Sequence, residues 1–203
     1  MTGGAWRYAA YKALHAPPVM FIKVMNLIIV DLKPEYMESA AAMLVDGFRA
    51  HSPKAWPDMD SAREVMREGN IMRMALDDAG ALLGWIAGAP SYDGHVWELH
   101  PLVVSPDQQR HGIGRALVLD FEERVRERGG ITIMLGADDE DNLTTLSGVD
   151  LYDDTWLRIR DARNLGGHPL GFYQKLGYAI VGVVPDANGM GKPDILMAKR
   201  IDT

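Results

Sequence analysis

Hydrophobic and polar positions in the first third of the chain change from strand spacing to helix spacing. Residues 26–32 (NLIIVDL) are rich in Ile and Val, which is typical of a strand. Pro34 then opens a segment with apolar residues three and four positions apart, the spacing of an amphipathic helix. After a break at residues 53–58, we predict a second helix that is capped by Asp60 or Ser61, completed by Glu64 in a capping box, and ended by Gly69 and Asn70.

The remaining pattern predicts further strands around a long central helix. Strands are expected at residues 71–76, 81–89, 96–105, 131–135, 178–184 and 194–201, with a hairpin turn at 77–80. Helices are expected at residues 113–128 and 169–176, and a mostly polar, partly helical insertion at 142–165. The order β, α, α, β, β, β, α, β, insertion, α, β, β predicts a mixed α/β fold and not a strict βαβ alternation.

The first 24 residues differ from the rest of the chain. They contain Arg, Lys and Pro but no acidic residue, and their apolar run is too interrupted for a signal peptide. We interpret residues 1–24 as an extension without fixed structure, or one not native to the domain. A targeting segment or an arm that binds a partner is the alternative. The domain itself is predicted to begin at residue 25 and to reach residue 203.

Composition and charge narrow the possible functions. The length of 203 residues suits one domain. The absence of cysteine excludes disulfides, thiolate nucleophiles and Cys-ligated zinc, and it fits a reducing cytoplasm. A net charge of −7 disfavours nucleic acid and favours a cationic partner. No apolar run is long enough to span a membrane, and His95, His111 and His168 are too scattered to predict a metal site.

A glycine-spaced turn before the central helix carries the clearest chemical signal. Gln109, Gly112 and Gly114 form the pattern Q-x-x-G-x-G directly before a helix start. Glycines let a backbone approach a ligand closely, and the N–H groups at a helix start bind phosphate. Arg110 and Arg115 add positive charge. We therefore predict a pyrophosphate cradle here.

Two other nucleotide-binding motifs fail at this turn and elsewhere. A dinucleotide-binding fingerprint needs Gly or Ala three residues after the second glycine, where this chain has Leu117. A Walker A loop needs Ser or Thr after Gly-Lys, but Gly191 and Lys192 are followed by Pro193.

The Q-x-x-G-x-G pattern after a long apolar strand resembles the acetyl-CoA motif of the GNAT superfamily. Four further segments are similar to the aminoglycoside 6′-N-acetyltransferases, especially the chromosomal enterococcal type. They are WELHPLVV (97–104), RGGITI (128–133), FYQKLGYAIVGV (172–183) and PDANGMGKPDILMAK (185–199). The likeness runs from about residue 25 to the C-terminus and is weakest between residues 32 and 70. It implies a mostly antiparallel mixed sheet, splayed at its fourth strand, with helices on both faces.

The resemblance also implies an activity. It predicts direct acetyl transfer from acetyl-CoA, as co-substrate, to the 6′-amine of an aminoglycoside antibiotic, which confers resistance. Relatives of this kind are homodimers. No metal is implied, and neither a cysteine nor a Ser-His-acid constellation is visible for a covalent acetyl-enzyme. Two alternatives stay open: an acetyltransferase for another polyamine or a peptide amine, and a non-catalytic CoA-binding domain.

Roles for single residues follow partly from spacing and partly from the resemblance. Glu98 and His100 lie two apart on a strand and share a face, which suits either proton transfer or a pair that only stabilises the strand. The resemblance implies that Glu98 and His100 serve the substrate amine, that the Leu102 N–H holds the oxyanion, and that Tyr173 protonates the thiolate. The implied cofactor-binding residues are Leu102, Val103, Val104, Gln109, Arg110, His111, Gly112, Ile113, Gly114, Arg115 and Tyr173.

An acidic stretch is the main sequence clue to the substrate. Residues 129–156 hold seven acids and no Lys or Arg. Such a run is usually a solvated face, but this one follows the strand after the cofactor helix, and it would attract a polycationic amine. Asp139 and Asp141 are the candidates in this stretch. Trp56, Asp58 and Asp60, on the early helix connection, are predicted to line the other wall of the pocket, with Glu98 near the substrate amine.

Overall fold

The computed structural model describes residues 26–49, 52 and 54–201, so the predictions for residues 1–24 lie outside the described part. The strands are β1 (Ile28–Asp31), β2 (Ile71–Leu76), β3 (Leu82–Ser91), β4 (Val96–Val104), β5 (Thr132–Asp138), β6 (Ala179–Val184) and β7 (Asp194–Arg200). The α-helices are α1 (Met37–Phe48), α2 (Met59–Arg63), α3 (Ile113–Glu127), α4 (Thr155–Arg160) and α5 (Leu170–Lys175). Three 3-10 turns span Pro34–Tyr36, Tyr92–Gly94 and Pro106–Gln108. The predicted order of elements is confirmed.

All seven strands form one sheet in the order β1-β2-β3-β4-β5-β7-β6. Every neighbouring pair is antiparallel except β4 and β5, which are parallel. This parallel pair is short, since only residues 96–98 of β4 pair with residues 132–134 of β5. Beyond Glu98, β4 continues along β3 while β5 continues along β7. The predicted mixed sheet, splayed at its fourth strand, is confirmed.

A bulge on β4 marks the point where the sheet opens. Leu99 pairs with Gly88 and Leu102 pairs with Ile86, so the step between these two pairs is three residues on β4 and two residues on β3. The extra residue falls at His100 and Pro101, and proline has no N–H to offer to the ladder. The bulge thus changes which side each later residue of β4 faces.

Two hydrophobic cores cover the two faces of the sheet. On one face, α1 and α2 pack on buried residues that include Leu44, Met74 and Trp85, and the Trp85 Nε1 donates to the Ala40 carbonyl at 2.9 Å. On the other face, Leu117 and Phe121 of α3 and Leu170 of α5 belong to a core that includes the strand residues Ile86 and Ile133. Burying each such side chain stabilises the fold by about 1.5–3 kcal/mol. Among the described residues, no helix has the length and apolarity to cross a bilayer.

The second helix is shorter than predicted, and its cap is a different residue. Asp58, and not Asp60 or Ser61, is the N-cap: its carboxylate accepts from the Ser61 N–H at 2.9 Å, and Ser61 completes the capping box. The helix ends at Arg63, which is held by ion pairs to Glu38 and Asp60. The cap lies two residues before Asp60 and three before Ser61, because several polar residues close together can each cap a helix.

Candidate active site

The backbone of β4 turns its polar groups toward the opening in the sheet at two positions. The Ser105 N–H donates to the Leu83 carbonyl on β3 at 2.9 Å. Since successive residues of an antiparallel strand point their N–H and C=O groups to opposite sides, Val103 also faces β3, whereas Leu102 and Val104 face the gap. The Gln109 side chain confirms this direction, because its Nε2 donates to the Val104 carbonyl at 3.2 Å.

A left-handed turn sets the start of α3 beside that gap. Arg110 and Gly112 both have positive φ, at 63° and 86°. Gly112 is the N-cap and supplies no capping side chain, and the first turn of α3 holds no acidic residue. The N–H groups of residues 113–115 therefore lack acceptors in the helix and sit at its positive end. With the exposed Arg110 and Arg115, this geometry fits a diphosphate.

Among the described residues, no steric contact or backbone angle requires glycine at position 114. A Cβ there would meet Phe172 Cζ at 3.5 Å and Val104 Cγ2 at 3.7 Å, which are ordinary contacts. Its φ is not left-handed, so alanine would fit the helix. The bare backbone is thus explained by an approaching ligand. Ile113 and Val103, by contrast, point their side chains into the two cores, and only the backbone of Ile113 faces the turn.

Tyr173 lies on α5, next to this turn. Its neighbour Phe172 lies against Gly114 and packs on the Tyr173 ring at 5.0 Å between centroids. Burial raises the pKa of the Tyr173 phenol. The hydroxyl therefore carries its proton at neutral pH and can donate it.

Glu98 and His100 meet in a cleft of about 420 Å³ between β4 and the segment around α2. The cleft is lined by Ala55, Trp56, Ser61, Glu64, Val65, Arg67, Asn70, Ala89, Glu98 and His100. The Trp56 and His100 rings are 5.0 Å apart at 36°. Burial lowers the pKa of the His100 imidazole, while the carboxylates of Glu98 and Asp138 oppose that shift. The imidazole is thus favoured in its neutral, proton-accepting form.

A second hollow of about 450 Å³ adjoins the cleft, because Ala55 lines both. Its other lining residues are Lys54, Asp138, Glu140, Ala187, Asn188 and Gly189. Asp138 ends β5 and accepts a hydrogen bond from Asn188 Nδ2 at 2.6 Å. Asp138 and Glu140 line this hollow, whereas the sequence analysis chose Asp139 and Asp141. Alternation along β5 was the available signal for Asp138, because it falls outside the buried positions Ile133, Leu135 and Ala137.

Three of the acids predicted to bind substrate line neither hollow. Asp139 is only 1% exposed, and its carboxylate accepts from the Leu143 N–H, the Thr144 N–H and the Thr144 hydroxyl at 2.7–2.8 Å. It holds the turn after β5 together. Asp58 caps α2, and Asp141 is an exposed residue outside both linings. The acidic stretch therefore contributes different residues from those predicted.

Asp194 is a further acid that the sequence reading missed. It pairs across β7 and β5 with Asp138. Burial, then the neighbouring Asp138 and Glu98 carboxylates, raise the pKa of Asp194 to about 6. Gly136 leaves room for it, since a Cβ there would lie 2.6 Å from Asp194 Oδ2. A glycine inside a strand was the only hint of this close approach.

Three features lie side by side: the splayed strand β4, the turn that precedes α3, and helix α5. Residues 37–147 match the Acetyltransferase (GNAT) family. This chain belongs to the GNAT acetyltransferase family. Its matched segment contains the cradle and the Glu98 cleft, while Tyr173 and Asp194 follow it in the chain.

Solved structures extend the likeness of this GNAT chain. An aminoglycoside 6′-N-acetyltransferase complexed with coenzyme A is 41% identical, with a TM-score of 0.79, and the match covers 87% of this chain and 98% of that one. The aminoglycoside 6′-N-acetyltransferase from Enterococcus faecium gives the same identity and coverage, with a TM-score of 0.78. An aminoglycoside 6′-acetyltransferase type Ii is 34% identical over the same shares, with a TM-score of 0.65. A comparison with curated protein sequences gave no match.

Proposed function

We propose that this GNAT acetyltransferase moves the acetyl group of acetyl-CoA to the 6′-amine of aminoglycosides. The observation that carries the proposal is the pair of adjoining, carboxylate-containing hollows at one end of β4, with a backbone cradle at the other. The 41% identity to two aminoglycoside 6′-N-acetyltransferases supports the same acceptor. A polycationic sugar suits a protein with a net charge of −7.

The cradle end would bind the co-substrate through backbone groups. The N–H groups before and within the first turn of α3 hold the diphosphate, and the exposed Arg110 and Arg115 neutralise its charge. Val104 pairs with the pantetheine arm in the gap that β5 leaves open. The Leu102 N–H, which faces the same gap, donates to the thioester oxygen as negative charge develops there.

The cleft end would remove a proton from the acceptor. An ammonium has no lone pair, so the amine must be deprotonated before it attacks. Leu102 lies four positions after Glu98 on β4. At 3.3 Å per residue their backbones would be about 13 Å apart, and the bulge shortens that distance. Glu98 therefore acts through His100 or a water molecule. The neutral His100 imidazole lies between them on the strand and can accept the proton.

Tyr173 would complete the reaction by protonating the departing thiolate. Its place beside the cradle and its protonated phenol suit this step. No residue has to form a covalent bond, because the amine attacks the thioester directly in a ternary complex. The attacking nitrogen loses its second proton as the amide forms, and that proton restores the Tyr173 phenol. The products are an amide, free coenzyme A and the proton drained toward Glu98.

A matched pair of acceptors tests the proposed substrate. Neomycin carries a 6′-amine where paromomycin carries a hydroxyl, and the two are otherwise the same. We expect coenzyme A release with neomycin and a rate at least about a hundredfold lower with paromomycin. Mass spectrometry and NMR of the product should place one acetyl group on the 6′-nitrogen. Equal rates with both sugars, or acetylation elsewhere, would contradict the proposal.

The same assay separates the other candidate functions. Turnover with spermidine or a peptide amine, but not with neomycin, would identify a different acceptor. Binding of acetyl-CoA by calorimetry without turnover of any amine would identify a non-catalytic domain. Glu98, His100 and Tyr173 around one gap favour the catalytic reading.

We also propose that the chain forms a homodimer and acts in the cytoplasm, where acetyl-CoA is made. Exposed apolar side chains are present on α4 (Trp156 and Leu157) and on the outer strand β6 (Val181 and Val184), among other positions. An outer strand with apolar side chains is a natural pairing surface. Light scattering after size-exclusion chromatography should give twice the chain mass of 22.4 kDa, and Val181→Lys should shift it toward one.

A further inference from the structure

A cluster of buried polar side chains joins α3 and β7 to the turn after α5. Glu122 on α3 is 4% exposed, and its Oε2 lies 2.7 Å from Lys199 Nζ on β7. The Lys199 ammonium is also 5.7 Å from the centre of the Tyr178 ring. Tyr178 directly follows Gly177, where a Cβ would lie 3.6 Å from Lys199 Cε. Three polar groups thus converge behind α5, away from the hollows described above.

Two atoms in this cluster lack a partner of their own. The Tyr178 hydroxyl and Glu122 Oε1 are both buried without a partner in hydrogen-bonding geometry among the described residues. Both side chains contact the same cation, because the Lys199 Nζ lies 2.7 Å from Glu122 Oε2 and 5.7 Å from the centre of the Tyr178 ring. Burial, and then the Glu122 carboxylate, raise the pKa of the Tyr178 phenol, so its hydroxyl keeps the proton that it can donate. An unsatisfied buried polar atom costs about 1–3 kcal/mol. A small rotation that lets the hydroxyl donate to Glu122 is therefore favourable and fixes the phenol.

Tyr178 in turn contacts the residue assigned above to the thiolate. The Tyr173 and Tyr178 rings are 5.6 Å apart at 67°, an edge-to-face contact. The Tyr178 N–H donates to the Tyr173 carbonyl at 3.1 Å. Phe172 contacts the Tyr173 ring at a centroid distance of 5.0 Å. The Tyr173 ring is thus oriented by two aromatic neighbours, and one of them is tied to a buried ion pair.

We propose that Tyr178, anchored by the Glu122–Lys199 ion pair, is a positioning residue that aims the Tyr173 hydroxyl at the departing sulfur. The inference rests on the proposed role of Tyr173. A phenylalanine at position 178 would fill the same space without burying a hydroxyl, so packing alone does not explain the tyrosine. The Glu122–Lys199 pair, with a buried carboxylate and a Lys199 side chain that is 24% exposed, likewise contributes little net stability compared with apolar residues, which directs attention to what it holds in place.

The first test changes one polar group of the cluster at a time, first the Tyr178 hydroxyl and then the Glu122 carboxylate. Tyr178→Phe should lower kcat about tenfold with whichever amine gives the fastest turnover, because a misaimed general acid loses only part of the roughly hundredfold or more that it contributes. The KM values for acetyl-CoA and for the amine should stay within about twofold, since neither substrate touches Tyr178. Glu122→Gln should lower kcat in the same direction, and it is the second variant if Tyr178→Phe does not fold. Tyr92→Phe, at an exposed tyrosine on the β3–β4 turn, is the matched control and should leave kcat unchanged.

A double-mutant cycle distinguishes positioning from general packing. If Tyr178 acts through Tyr173, Tyr173→Phe combined with Tyr178→Phe should be no slower than Tyr173→Phe alone. Multiplied effects in the double variant, or an unchanged kcat in a folded Tyr178→Phe, would overturn the inference while leaving the role of Tyr173 intact. A wild-type kcat in Tyr173→Phe alone would overturn both, and acetyl transfer itself would remain established by the wild-type rate.

Discussion

The two ends of β4 present different kinds of polar group, namely backbone N–H groups at one end and side chains at the other. At the cradle end, backbone N–H groups of Leu102, Val104 and residues 113–115 face the proposed co-substrate, and the exposed Arg110 and Arg115 add only positive charge beside them. At the cleft end, the polar surface consists of side chains from β4, β5 and the α2 segment. A backbone site depends on where glycines and a bulge fall in one segment. A side-chain site depends on how distant segments are brought together.

This difference predicts that mutations at one end leave the other end intact. The cleft and the cradle share β4 but no polar side chain, so acceptor chemistry and co-substrate affinity should be separable. Four experiments, which use five variants, test this separation and the acids around it, beginning with the one expected to have the largest effect.

Glu98→Gln should damage only the acceptor end. We expect kcat/KM for the amine to fall about a hundredfold to a thousandfold, because a general base contributes that much. The Kd for acetyl-CoA from calorimetry should stay within about twofold of wild type. An equal loss in acetyl-CoA binding would show that the two ends are not independent, and an unchanged kcat/KM across pH would remove Glu98 from the reaction.

Neighbouring acids within the acceptor end should behave in opposite ways. Asp139→Asn should lower the free energy of unfolding by about 2–3 kcal/mol, because it disturbs three hydrogen bonds to a buried carboxylate. Asp138→Asn should leave the free energy of unfolding nearly unchanged and raise the KM for an aminoglycoside. Urea unfolding and steady-state kinetics on both variants check the pair. The reverse pattern would restore Asp139 as the substrate-binding acid.

Asp194 should make the protein less stable as the pH rises. Its folded pKa of about 6 lies above the ordinary value of 3.8, so its contribution to stability is present below about pH 4 and is lost as the pH rises through about 6. The loss should be on the order of 2 kcal/mol between pH 4 and pH 7.5. Asp194→Asn should remove that part of the pH dependence in urea titrations. Parallel curves for the two proteins would show that Asp194 is not desolvated.

Gly114→Ala should damage only the cradle end, with the smallest effect of the four. The Cβ meets only ordinary contacts, and alanine favours a helix over glycine, so the melting temperature should not fall. The KM for acetyl-CoA should rise about tenfold, which corresponds to about 1.4 kcal/mol of lost binding. The KM for the amine should not change. An unchanged KM for acetyl-CoA would mean that the ligand does not approach this backbone.

The same contrast explains what the sequence could predict. The strand and helix order and the cradle followed from local spacing, because apolar periodicity and the Q-x-x-G-x-G pattern are contained in short segments. The bulge at His100 and Pro101 is visible only when β4 is paired with β3, and the splayed fourth strand was predicted only through the family resemblance. Asp139 was chosen for its charge, yet the fold buries it, whereas Asp194 lies more than fifty residues away and reaches the gap only through the pairing of β7 with β5. Tertiary pairing decides which acids reach a site, and composition alone does not show it.

A crystal structure of the protein with coenzyme A and an aminoglycoside would test the central claim most directly. We expect the diphosphate on the N–H groups of residues 110–115, the thiol between the Leu102 N–H and Tyr173, and the 6′-amine in the cleft of Glu98 and His100. Coenzyme A bound away from the turn before α3, or an amine outside both hollows, would contradict the account.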